Sequence, residues 1–149
     1  MRVVEVGVKF HEVVPSAVFR TMICPNILRA FHGDGTMVGP WEGDARTLSF
    51  CVDSSGSPVA IDKHARTVVR QRLVPSTRTV KNSLRLENLP ILSIESVWHV
   101  EDDVLRGKAR IRVRVPPPFS WLAERFVATK ATVQMERFAR AVVDMAGRV

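Results

Sequence analysis

Hydrophobic residues along the chain follow two periods. Val4, Val6, Val8 and Phe10 alternate with Glu5, Gly7 and Lys9, the period-two signature of a strand with one buried face. Two stretches then open with proline and a small polar residue, PSAVFRTMI and PNILRAFHGD. Both hold apolar residues at helical spacing and predict two short helices, the second ended by Gly33. After Gly39-Pro40 the pattern returns to period two. Strands are predicted over 36–41, 45–53, 64–74, 77–87, 92–102 and 104–115. The breaks are Gly43-Asp44, Ser54 to Pro58, Pro75-Ser76, Asn88 to Pro90 and Asp102-Asp103.

The segment 119–147 reads as one long helix, with Ser120 as its cap and Gly147 near its end. From Ala131 onward Met135, Phe138, Ala139, Val142 and Ala146 share one face, and Glu136, Arg137, Arg140 and Asp144 the other. A strand, two short helices, six strands and a long helix predict an α+β domain over 1–149. Its curved antiparallel sheet is expected to wrap around the C-terminal helix, one face inward and one toward solvent.

The two parities of the sheet differ in chemistry. In the last strand Leu105, Gly107, Ala109, Ile111, Val113 and Val115 alternate with Arg106, Lys108, Arg110, Arg112 and Arg114. Arg66, Arg70 and Arg72 add to the outward set, which Glu95 and Glu101 can partly neutralise across strands. With 149 residues and a net charge of +7, the chain favours an acidic partner such as an anionic membrane surface. Nucleic acid is disfavoured, because no aromatic residues interleave that face. Inward parity is mostly apolar but includes Thr67, Gln71, Asn82, Ser96 and the indole of Trp98. Such groups are either satisfied locally in a sealed core or line a cavity that takes a small molecule.

Catalytic patterns are thin. His11, His32, His64 and His99 lie in different elements without metal-ligand spacing, so no metal or cofactor is expected. His32 with Asp34 is the compact acid–base pair, at a helix end where turn chemistry is the commoner role. Cys24 and Cys51 fit reduced, buried thiols in a cytosolic protein. The N-terminus reads as neither a signal peptide nor a membrane span, so any membrane contact is expected to be peripheral. The first half of the long helix is apolar nearly all round, through Phe119, Trp121, Leu122, Phe126, Val127 and Ala128.

Three stretches carry a resemblance: GPWEGDARTLSF, TRTVKNSLRLENLP followed by SIESVWHV, and the helix after PPPFSWLAERF. The chain resembles the START-like, helix-grip (SRPBCC-type) superfamily over nearly its whole length, and within it the VASt domains. The resemblance implies a cavity between sheet and long helix that holds a sterol or another lipid. Its candidate walls are Phe50, Gln71, Asn82, Ser96 and Trp98 on the sheet and Glu124, Ala128 and Met135 on the helix. Ile27, Leu28 and Phe31 on the short helices, with Trp41, Phe119, Trp121 and Leu122, are expected to flank the entrance. Arg46 is placed at the rim. The alternatives are a cyclase- or hydrolase-like enzyme on the same fold and a basic interaction module. An enzyme should bring His32, Asp34 or Glu124 to one point of a deep pocket, and an interaction module should have a filled interior.

Overall fold

Alternation and turn chemistry place the elements. The computed structural model describes residues 1–51, 66–87 and 89–148. The strands are β1 (Arg2–Lys9), β2 (Met37–Val38), β3 (Ala45–Cys51), β4 (Arg66–Val74), β5 (Thr79–Leu86), β6 (Leu89–Val100) and β7 (Val104–Val113). The helices are α1 (Pro15–Met22), α2 (Pro25–His32) and α3 (Phe119–Gly147). The strands form one seven-stranded sheet in the order β1-β7-β6-β5-β4-β3-β2. Every pairing is antiparallel. β1 therefore closes the sheet beside the last strand, and the rest is a meander.

Parity sorts the faces as the sequence predicts. Along β7 Leu105, Gly107, Ala109, Ile111 and Val113 are buried, while Arg106, Lys108, Arg110 and Arg112 are exposed. α3 is unbroken across Lys130 and makes its extensive contacts with β1 and β7. Ala139, Val142 and Ala146 bring its C-terminal half into a core shared with Val18 and Met22 of α1 and with Val100 and Leu105. Small residues on that face let the helix lie close to its neighbours. Gly107 serves the same purpose in the sheet. It pairs with Trp98, and a Cβ there would stand 2.7 Å from the indole ring.

Several boundaries differ from the sequence expectation. Only Met37–Val38 of the 36–41 segment forms a strand. Pro75–Thr77 is a single 3-10 turn, after which Arg78 takes a left-handed φ of 50°. The break expected at Asn88 to Pro90 is shorter, because β6 already pairs at Leu89, opposite Leu86. Ser120 does not cap α3. The cap position is Pro118 and carries no side-chain cap bond. Cys51 is exposed rather than buried, and Cys24 is half-buried. The outer ends of the strands predicted over 45–53 and 64–74, the turn from Ser54 to Pro58, His64 and Asn88 lie outside the described residues.

Candidate functional site

The contacts of α3 with β1 and β7 hold its middle turns clear of β3 to β6. Between them is a cavity of about 630 Å³. Its floor is the inner sheet face, from Leu48 and Phe50 across Val69, Val80 and Leu84 to Ile94 and Trp98. Its roof is α3 from Phe126 to Phe138, and α2 closes one end through Leu28, Phe31 and His32. The wall is predominantly apolar with a few polar side chains, the usual make-up of a small-molecule site.

Aromatic rings order the α2 end. Phe31 meets Phe138 edge-on at 5.3 Å, and Trp98 meets Phe138 at 5.5 Å. The His32 imidazole lies flat on Phe50, with centroids 3.8 Å apart and ring planes 10° from parallel. Burial lowers its pKa from 6.5 to about 4, so the ring is neutral near pH 7.

The polar residues of the inner face centre on Arg46. It was expected at the rim, but the structure buries it to 5% exposure. Its Nε donates to Gln71 Oε1 at 2.8 Å. Its Nη2 donates at 2.7 Å to the carbonyl of Ile23, the residue that caps the C-terminus of α1. A cation there is favoured by the helix dipole. The Trp41 ring covers the guanidinium at 4.2 Å. Burial lowers the Arg46 pKa from its ordinary value, and the neighbouring Cys24 partly offsets this. Farther along, Asn82 Nδ2 donates to Ser96 Oγ at 3.2 Å. Asn82 Oδ1 and the hydroxyl of the fully buried Thr67 are sealed from solvent and make no hydrogen bond.

Of the residues expected to form the cavity, Phe50, Gln71, Asn82, Ser96, Trp98 and Met135 line it. Glu124 and Ala128 do not. Glu124 is buried, but over the β1–β7 edge, where its carboxylate meets the Met1 ammonium at 2.9 Å and accepts from Val113 N at 3.3 Å. Burial raises its pKa, but the ammonium, the Val113 N–H and Arg2 together outweigh burial and lower it overall. Ala128 lines a separate, more open depression beside Arg2, Val3 and Val4.

The expected entrance is not assembled on one lip. Leu28 and Phe31 line the cavity, whereas Ile27 is core at 3% exposure. Trp41 lies over Arg46 and is not among the lining residues. Phe119, Trp121 and Leu122 are exposed at the start of α3. Phe31 packs on Phe138, roughly 25 Å along the helix from Trp121. The short helices and the proline turn thus lie toward opposite ends of the roof.

Thr67, set at inward parity by the sequence but not named among the candidate walls, also lines it, and the sequence reading missed His32 and the roof residues Phe126, Val127, Lys130 and Phe138 as cavity walls. Helical spacing of Phe126, Lys130, Gln134 and Phe138 was the available signal, obscured because two of the four are polar. Among the described residues no cluster of His, Cys, Asp and Glu has the makings of a metal site. No described helix is long and apolar enough to cross a membrane.

Solved structures share this architecture. The chain superposes on the Zhui aromatase/cyclase from Streptomyces sp. R1128 with a TM-score of 0.77 at 15% identity, covering 99% of this chain and 94% of that one. TTHA0849 from Thermus thermophilus gives 0.71 at 13% identity, covering 97% of each chain. The di-domain ARO/CYC BexL from the BE-7585A biosynthetic pathway gives 0.65 at 16% identity, over 95% of this chain and 46% of that one. No family model matches the sequence, and neither does any curated protein. At these identities the likeness establishes the fold, which is the helix-grip fold.

Proposed function

We propose that this protein binds and carries a hydrophobic small molecule in the cavity between the sheet and α3. The observation that carries the reading is the cavity of about 630 Å³, apolar over most of its wall. It favours a carrier over an interaction module, which would have a filled interior. A catalytic arrangement on the expected residues is not assembled, since His32 lines the cavity, Asp34 is exposed and Glu124 is engaged at the β1–β7 edge. The second reading is a cyclase-type enzyme. Two structural neighbours carry that activity in their names, and His32 offers a neutral imidazole at the wall.

Within the carrier reading the ligand is a lipid or sterol, supported by the resemblance of GPWEGDARTLSF and SIESVWHV to VASt domains. The apolar residues at the start of α3 support a peripheral membrane contact. Phe119, Trp121 and Leu122 are 62%, 56% and 45% exposed, and Arg112, Arg114 and Arg125 lie close in sequence.

Native mass spectrometry of the purified protein, followed by solvent extraction, tests the carrier reading. A co-purifying apolar molecule, or saturable uptake of pyrene added afterwards, is expected. A protein that holds neither would overturn it. Conversion of an extracted molecule during incubation would favour the enzyme.

A further inference from the structure

Polar residues at inward parity on the sheet stand in one row. Register pairs Arg46 with Gln71, Gln71 with Asn82, and Asn82 with Ser96, so the row crosses β3 to β6 at one height. The rows on either side are apolar. Leu48, Val69, Leu84 and Ile94 form one, and Leu73, Val80 and Trp98 the other. Gln71, Asn82 and Ser96 of the polar row all line the cavity.

Hydrogen-bond chemistry fixes what this row presents. Arg46 Nε is an obligate donor, so the Gln71 amide must turn its oxygen to it. That leaves Gln71 Nε2 as the remaining donor of an amide whose residue lines the cavity. Asn82 gives its Nδ2 to Ser96, which leaves Oδ1 as an acceptor with no bond. Gln71 and Asn82 are directly opposed across the strands, with Cβ atoms about 5 Å apart in such a pair. Terminal amide torsions are broad, so both planes can turn toward a bound molecule.

We propose that this row is the polar anchor of the cavity, and that it selects apolar molecules bearing a neutral hydroxyl, an alcohol or a phenol. The proposal rests on the reading that the cavity holds a hydrophobic molecule. One hydroxyl accepts from Gln71 Nε2 and donates to Asn82 Oδ1. An ether or ketone answers the donor and leaves Asn82 Oδ1 buried and unpaired, and a hydrocarbon leaves both unpaired. An unpaired buried group costs more than the bond it replaces. In the competing arrangement the two amides bond to each other, and the cavity is indifferent to a ligand hydroxyl.

Fluorescence titration with pyrene, 1-methoxypyrene and 1-hydroxypyrene separates these cases. The wild type should bind 1-hydroxypyrene up to about tenfold more tightly than 1-methoxypyrene, the ratio that the one hydrogen bond to Asn82 Oδ1 supplies. Asn82→Leu removes the acceptor and should bring that ratio close to one. Gln71→Glu keeps the Arg46 partner but exchanges the donor for an acceptor, which removes the bond that hydroxyl and ether share and should erase the advantage of 1-methoxypyrene over pyrene. Lys81→Ser, on the opposite face of β5, should leave the wild-type ratio. Equal affinities in the wild type overturn the proposal without any variant having to fold. So does a preference for the hydroxyl that survives Asn82→Leu. Failure to bind pyrene at all would overturn the carrier reading itself, and the anchor with it.

Discussion

The two faces of the sheet are built from the same strands, yet they handle polarity in opposite ways. Outside, charge is spread over many rows. Arg72 meets Asp44, Arg106 meets Glu101, and Lys108 meets Glu5, all between groups at least 40% exposed. Among the described residues no ion pair engages Arg70, Lys81, Arg85, Arg110 or Arg112. Water solvates these groups, so each row tolerates an imbalance. Inside, the polar side chains that the sheet turns toward the cavity are gathered largely into one row, around a single buried guanidinium. There every donor needs an acceptor, because unpaired groups in a low dielectric are costly. The same residue types thus carry small energies on one face and large ones on the other.

The largest effect should come from breaking the inner row at its charged end. Gln71→Leu leaves Arg46 Nε buried without its neutral acceptor, a loss of about 3 kcal/mol for a hydrogen bond to a charged group. Replacing both, Arg46→Met with Gln71→Leu, should recover much of that loss, because a buried polar pair exchanged for apolar groups is often near neutral. Urea unfolding of the two single variants and the double variant measures the coupling. Additive losses would mean that the row is not a unit.

Parity made both faces legible in the sequence, and it assigned Gln71, Asn82, Ser96 and Trp98 inward. It did not show that Arg46, Gln71, Asn82 and Ser96 share one row. Register depends on which strands pair and at what offset, and neither is carried by a period of two. The burial of Arg46 was hidden for the same reason, since its second acceptor is the end of α1, twenty-three residues earlier in the chain. Helix phase was legible too. Glu124 and Ala128 share a side with Met135, as the spacing implies. A period fixes rotation about the helix axis but not which strand lies beneath each turn, and beneath Glu124 lies the β1–β7 edge.

A pH titration separates the faces next. The folded pKa of His32 is about 4 against 6.5 in the unfolded chain. Above pH 6.5 the ring is neutral in both states and costs nothing. Between 6.5 and 4 the unfolded chain takes up a proton that the folded chain refuses, so stability falls as pH falls. The loss is on the order of 2–3 kcal/mol across that window. His32→Phe, which retains an aromatic ring against Phe50, should flatten the curve there. Glu124 contributes with the same overall direction. Its lowered pKa gives stability that is present above its unfolded value and lost in acid. Parallel curves for wild type and His32→Phe would show that His32 is not the titrating group.

Gly107 tests how tightly the inner face is packed. Gly107→Ala places a methyl 2.7–2.9 Å from three atoms of the Trp98 ring, which is 5% exposed and forms part of the cavity wall. The ring must turn or the strands must separate, at about 1–3 kcal/mol. Thermal unfolding together with Trp fluorescence follows both. An unchanged Tm with an unchanged spectrum would show that the wall yields without cost.

The smallest effect should have the opposite sign. On the outer face Lys81 stands directly opposite Arg72, with Val97 on its other side. Like charges facing each other across a strand pair are unfavourable, and an opposite pair contributes roughly 0.2–1 kcal/mol. Lys81→Glu should therefore stabilise the fold by about 0.5 kcal/mol at low ionic strength. The gain should shrink in high salt, where the Debye length falls to about 3 Å at 1 M. Arg72 already meets Asp44 at 3.5 Å, so the new carboxylate shares its guanidinium, and this limits the gain. Urea unfolding at low and high salt reads the difference. A loss of stability, or a gain that salt does not touch, would mean that residue 81 is held by packing and not by solvated charge. The contrast between the two faces would then fail at β5, the strand that carries Asn82 on its inner side.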